Sequence, residues 1–314
     1  MPFASLSLLS LCATLLAAEA PPARPASPPA PTAPTRPDAP SAPTPPTIPA
    51  SAGPTIPPDA EHASKALVDS PRHGEWVDVM VMPAEGAPSQ VVAEKIRTWV
   101  VFPERKDPAP VVVVIHEIFG LTDWVRAVAD QLAAEGFIAV APDLLSGMAP
   151  GGGGTEGFKG DEARAAIAKL TPEMVARKLD AVRDRALKMP SAKPASACIG
   201  FCWGGSSSFS YATVQRDLKG AVVFYGTAPT DRAALARIAC PVLGLYGADD
   251  ARVTSTVEAT SAAMKELDRP FTAHIYPGAG HGFLRQQTGR DGANLKAAQE
   301  SWKETVGFLR KVTE

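Results

Sequence analysis

The chain has almost no excess of either charge: 31 Lys and Arg stand against 33 Asp and Glu, a formal net charge of -2 over 314 residues. No cluster of basic residues occurs, so nothing in the sequence forms an electrostatic footprint for nucleic acid, and a small neutral or anionic substrate is what remains open. Cysteine is scarce, with four residues in all. Beyond Cys12 there are three, Cys198, Cys202 and Cys240. An odd number cannot all pair, which argues against a disulfide framework and leaves at least one thiol to explain. Long apolar runs are missing too: residues 6–18 are uncharged and apolar, but too few to span a bilayer comfortably. No internal repeat is visible, and no His or Cys spacing suits a metal, so neither metal nor organic cofactor is expected.

That apolar run ends in the small residues of Ala18-Glu19-Ala20, the pattern of an export signal removed near residue 20. A periplasmic or secreted protein is expected, with no stable membrane insertion after removal. No Lys or Arg precedes the run and Pro21 follows the cleavage point; a misassigned start residue would account for the missing charge. Cys12, in Leu9-Ser10-Leu11-Cys12, has leucine where a lipoprotein box needs a small residue, which argues against lipidation. A disordered apolar tail is the alternative.

Residues 21–60 hold half of the 32 prolines. Proline lacks a backbone donor and favours polyproline II, so this segment is expected to be an extended spacer, either a stalk or an unselected leader. With few apolar side chains to join a core, the linker is expected to reach residue 70. One folded domain over residues 71–314 follows.

Within that domain, short apolar runs alternate with helical stretches, the pattern of βα units and a mostly parallel sheet. Val111-Val112-Val113-Val114-Ile115 is apolar on both faces, as a central strand covered by helices on both sides must be. Phe137 to Ala141, Ala221 to Phe224 and Val242 to Tyr246 read the same way. Thr171-Pro172-Glu173 predicts a helix start, with Val175, Leu179, Val182 and Ala186 as its apolar stripe.

The sharpest local signal is Gly200-Phe201-Cys202-Trp203-Gly204-Gly205, directly after the strand-like Ala197-Cys198-Ile199. It matches a nucleophile elbow with cysteine in place of serine, flanked by glycine because the turn is too sharp for side chains. A buried structural cysteine beside a glycine turn is the alternative, and it is the reading adopted for Cys198 and Cys240. Asp249-Asp250 then follows the run ending at Tyr246, and His281 lies in Gly278-Ala279-Gly280-His281-Gly282-Phe283 after the run ending at Tyr276. Alone, the histidine could be a turn residue and the acids a loop or helix cap. Nucleophile, acid and histidine in that chain order are the order of the α/β-hydrolase fold. Such a trio supports acyl transfer through a thioester, with the oxyanion held by the backbone N–H groups of Trp203 and Ile118.

Spaced motifs then resemble one family. Glu117-Ile118-Phe119-Gly120, Pro142-Asp143-Leu144, the Cys202 elbow, Phe224-Tyr225-Gly226, Gly247-Ala248-Asp249-Asp250 with Val253, and His281-Gly282-Phe283 are similar to the dienelactone hydrolases over nearly everything after Glu75. The resemblance implies an α/β-hydrolase fold, a triad of Cys202, His281 and Asp250, with Asp250 preferred over Asp249 by spacing, and Glu117 regulating the protonation of the thiol. It also implies that Arg285, Tyr225 and Phe119 face the substrate. On residues alone, Glu117 could be a salt-bridged loop residue, Arg285 a surface residue, and His116 a satisfied structural histidine. One departure bears on substrate: where the family carries a second carboxylate-binding arginine after Pro-Asp-Leu, this chain reads Leu145-Ser146-Gly147 and then a glycine-rich loop. Dienelactone itself is therefore not implied. A monomeric ester or lactone hydrolase is the expectation; a broad short-chain carboxylesterase or thioesterase, and an exported binding protein on the same fold, are the alternatives.

Overall fold

The computed structural model describes residues 55–83 and 93–314. The apolar segment with its cleavage point, Cys12 and the proline-rich stretch up to residue 54 lie outside the described residues. Among the described residues, no helix is long and apolar enough to cross a membrane, and no group of three or more His, Cys, Asp or Glu is gathered as a metal site would need.

The strands are β1 (Gly74–Val81), β2 (Glu94–Val101), β3 (Ala109–Ile115), β4 (Ile138–Pro142), β5 (Ala192–Phe201), β6 (Ala221–Phe224), β7 (Val242–Gly247) and β8 (Phe271–Tyr276). They form one sheet in the order β1-β2-β4-β3-β5-β6-β7-β8. The β1–β2 and β2–β4 pairs are antiparallel, and every pair from β4 to β8 is parallel.

All seven residues of β3 are buried. Its alternate side chains feed two separate cores: Val112 and Val114 join one, Val111, Val113 and Ile115 the other. A strand side chain points to opposite faces in turn, so a run of Val and Ile without a polar interruption is stable only between two apolar layers. Fully burying each such side chain contributes about 1.5–3 kcal/mol.

Helices supply those layers. On one face lie α1 (Ala63–Asp69), α2 (Asp123–Ala134) and α9 (Ala293–Thr313), the last through Trp302, Val306 and Leu309. Toward the other lie α3 (Glu162–Ile167), α4 (Pro172–Leu187), α5 (Trp203–Ala212), α6 (Arg232–Ala236) and α8 (Val257–Glu266), while the short α7 (Ala251–Thr254) packs in a small satellite cluster. At the start of α4, Thr171 accepts a hydrogen bond from Met174 N–H at 3.3 Å, and Val175, Leu179, Val182 and Ala186 are buried.

The domain begins earlier than residue 71. Residues 56–69, which composition assigns to the linker, pack on the body: Ala63 is fully buried, Ile56 and Leu67 pack against the core that α2 covers, and Gln287 Nε2 donates to the Pro57 carbonyl at 2.8 Å. Ser70 Oγ and Arg72 both bind Asp130 of α2. Small and isolated apolar residues such as Ala63 and Ile56 do not stand out from a proline-rich background, so only their tertiary contacts reveal the boundary.

Candidate active site

The carboxyl ends of the parallel strands collect the loops, the place where open α/β sheets build their sites. Cys202 sits between β5 and α5 at φ 56° and ψ -116°. A non-glycine residue in that region is strained by about 1–3 kcal/mol and persists only where its surroundings hold it. Here its N–H donates to Phe224 O at 3.0 Å and its carbonyl accepts from Ser206 N–H at 3.1 Å. The glycines around it are required by contact. A Cβ on Gly200 would lie inside the Gly204 carbonyl, and one on Gly204 would lie inside the carbonyls of Ile115 and His116.

His281 Nδ1–H donates to Asp250 Oδ2 at 2.5 Å. Asp250 is buried behind it, which fixes the tautomer and leaves Nε2 free to accept a proton. The neighbouring Asp249 turns away and pairs with Arg290 Nη1 at 2.9 Å. Tyr225 follows β6 at φ 40°, and its ring meets His281 edge-on at 5.1 Å.

Cys202, Trp203 and His281 line one pocket of about 580 Å³, together with Glu117, Ile118, Phe119, Tyr225 and Arg285. The volume falls in the usual range for small-molecule sites. Trp203 opens α5, so its N–H has no intrahelical acceptor, and that N–H favours the Cys202 thiolate. The opposing influences are larger. Burial first, and the carboxylate of Glu117 next, push the Cys202 thiol above its ordinary value, while Arg252 pulls it down.

Glu117 is almost fully buried, which pushes its carboxyl up to about 7 against the opposing charge of Arg285. Arg285 Nε lies 3.2 Å from Glu117 Oε2, yet neither atom makes a well-directed hydrogen bond. They form an ion pair by proximity, loosely aimed. The Arg285 guanidinium also covers the Phe119 ring at 5.0 Å. Arg285 therefore faces the pocket while held by an acid of the same pocket.

Two neighbouring groups shape this loop. His116 is fully buried and neutral, because burial lowers its pKa; Nδ1–H donates to Glu117 O at 2.8 Å and Nε2 accepts from Leu144 N–H at 3.2 Å. Asp143 accepts from Thr155 Oγ1 and N–H, each at 2.7 Å, and Thr155 Oγ1 accepts from Leu121 N–H at 2.9 Å. The histidine is structural, and the Pro-Asp-Leu carboxylate ties the glycine-rich loop to the loop bearing Glu117.

Sequence reading missed Arg164, Arg252, Ser206 and Gln286, which also line the pocket. Arg164 arrives on α3, beyond the glycine-rich loop, and its place in the sequence carries no signal of this. Among the described residues the other two thiols lie outside the pocket, and burial pushes Cys198 up to about 12 and Cys240 up to about 11.

A mostly parallel sheet with a strained strand–elbow–helix turn, and an acid and a histidine on later strand ends, defines an α/β-hydrolase fold. The chain belongs to the dienelactone hydrolase family, whose sequence profile matches residues 96–313. A protein of Escherichia coli strain K12 assigned as a carboxymethylenebutenolidase is 27% identical over 271 residues, covering 81% of this chain and 94% of its own. One of Methylorubrum extorquens, assigned the same way, is 30% identical over 220 residues, covering 67% and 74%. Among solved structures, a protein of Klebsiella pneumoniae assigned as a dienelactone hydrolase superposes with a TM-score of 0.63 at 26% identity, covering 75% of this chain and 98% of its own.

Proposed function

We propose that the protein hydrolyses carboxylic ester or lactone bonds through a thioester formed on Cys202, and that its substrates carry an anionic group besides the scissile bond. One juxtaposition carries the reading: a strained thiol at the elbow and an imidazole oriented by a buried carboxylate face the same 580 Å³ pocket.

In the first half-reaction His281 Nε2 takes the thiol proton as sulfur attacks the carbonyl carbon. The oxyanion is received by backbone N–H groups of Trp203 and Ile118, the carbon–oxygen bond breaks, and the leaving oxygen takes the proton back from His281. Water then attacks the thioester, with His281 again accepting and returning a proton, and Cys202 is regenerated. Glu117 has the place and the carboxyl group to govern when the thiol ionises. Its charge opposes the thiolate, and its protonation near neutral pH relieves that opposition.

The anionic preference rests on charge. Arg164, Arg252 and Arg285 line the pocket against a single acid, Glu117, and among the described residues neither Arg164 nor Arg252 is in an ion pair. Guanidinium groups bind carboxylates with charge-assisted, bidentate hydrogen bonds. The proposed location is outside the cytoplasm, supported by the apolar run at residues 6–18, and N-terminal sequencing of exported protein tests it.

A panel of activated esters, thioesters and lactones, with and without a carboxylate, should be assayed on wild type and Cys202→Ala. Turnover that disappears in the variant, with an acyl adduct mapped to Cys202 by mass spectrometry, is the expected result. Equal turnover of neutral and carboxylated short-chain esters would make it a broad esterase. Binding without turnover would make it a binding protein, and turnover retained in Cys202→Ala would refute the nucleophile.

A further inference from the structure

We infer that residues 56–62, ahead of the family-matched region, position Arg285 by gripping the backbone of the loop that carries it. The inference rests on the reading above in taking Arg285 as substrate-facing.

The grip is made at two neighbouring points, backed by one bond within the loop. Ala60 N–H donates to the carbonyl of Arg285 itself at 3.0 Å. Gln287, two residues on and buried, donates from Nε2 to the Pro57 carbonyl at 2.8 Å and to the Leu284 carbonyl at 3.0 Å. The loop between is a turn hinged at Gly282, φ +71°, with Arg285 and Gln286 N–H both returning to the Gly282 carbonyl at 3.0 and 2.9 Å. His281 immediately precedes that hinge.

The gripping segment is itself held firmly. Asp59 is buried and accepts from His62 N–H at 3.0 Å and from His62 Nδ1 at 2.6 Å, and Ala63 begins α1 fully buried. An arginine side chain has many rotamers, and here its contact with Glu117 is a poorly directed 3.2 Å approach. With so little directional hold from its partner, where the guanidinium sits is set by its backbone. That backbone is fixed on its far side by residues 57 and 60. A segment that only covered the core would need no hydrogen bond to the residue behind the pocket.

The test uses the full chain with Ala60→Pro, which deletes one N–H donor; Ala60→Gly, which keeps it; Gln287→Leu, which deletes the side-chain grip; and Arg285→Ala. Circular dichroism establishes which variants fold, and Gln287→Leu keeps the question open if proline is not tolerated. One readout is the pH profile of Cys202 alkylation by iodoacetamide, which needs no substrate. Loosening Arg285 lets Glu117 stay protonated to higher pH, so Ala60→Pro, Gln287→Leu and Arg285→Ala should all alkylate about twofold faster at neutral pH, with Ala60→Gly at wild-type rate. The second readout is kinetic: KM for a carboxylated ester should rise about tenfold in both grip variants, kcat should hold, and neutral esters should be unaffected. Folded grip variants with wild-type alkylation and wild-type KM would overturn the inference. Absence of turnover on every ester, with the alkylation shifts present, would instead sink the hydrolase reading and leave the grip standing.

Discussion

Tyr225 presents its ring edge to His281 at 5.1 Å and 62°, while its own hydroxyl is buried with no hydrogen-bond partner. A buried hydroxyl without a partner costs about 1–3 kcal/mol, and this one belongs to a residue that lines the pocket. Tyr225→Phe should therefore stabilise the free protein by about 1 kcal/mol, read as a higher melting temperature, with kcat/KM near the wild-type value because the hydroxyl is closed off from solvent. A variant that loses both stability and activity would show that the hydroxyl is satisfied within the fold.

Glu117 has its folded-state carboxyl raised to about 7 from an ordinary 4.5, burial being the larger cause and Arg285 the opposing one. For a group raised in the folded state, the stability it contributes is fully present below pH 4.5 and is lost as pH rises toward 7. The loss is on the order of 3 kcal/mol. Chemical denaturation at pH 4.5, 6 and 8 should show this decline in wild type and not in Glu117→Gln. In the same variant the Cys202 thiol should ionise at lower pH, because a negative charge beside it is gone. An identical pH dependence in both proteins would remove Glu117 from the electrostatics of the thiol.

Arg164 lies in the pocket although no motif places it there. Arg164→Ala should raise KM for carboxylated esters about tenfold and leave neutral esters unchanged, with the melting temperature within about 1 °C of wild type, since the side chain is exposed and unpaired among the described residues. Equal losses on both ester types would assign Arg164 to loop structure.

Removal of residues 1–54 should leave melting temperature and kcat/KM at wild-type values, since that stretch is proline-rich with few apolar side chains beyond its first 20 residues. Removal of residues 1–70 deletes Ile56, Ala63 and both backbone partners of the Arg285 loop, and should cost about 2 kcal/mol or more. Two truncations with the same melting temperature would place the boundary at residue 71 after all.

The α/β architecture was legible because its signals are local. Val111 to Ile115 can only be stable between two apolar layers, and the elbow glycines are dictated by carbonyls of β3 and α5 that a Cβ would penetrate. The candidate site was legible in its order along the chain, with Cys202, Asp250 and His281 each at the end of a strand-like run. Arg164 was not, because a lone arginine on a six-residue helix looks the same in sequence whether it faces solvent or a pocket.

By itself, then, the sequence determined the doubly covered parallel sheet, the elbow at Cys202 and the presence of an acid and a histidine on later strand ends, all consequences of side-chain periodicity and backbone sterics within a few residues. Only the tertiary structure decided that Asp249 turns away to Arg290 while Asp250, the acid that spacing prefers, meets His281, that Glu117 shares its pocket and its charge with Arg285, and that the chain from residue 56 onward belongs to the domain. Those outcomes depend on distances between residues such as Asp250 and His281, or Pro57 and Gln287, that are far apart in the chain. Burial and charge pairing are set by the closed three-dimensional packing, and no local pattern encodes them.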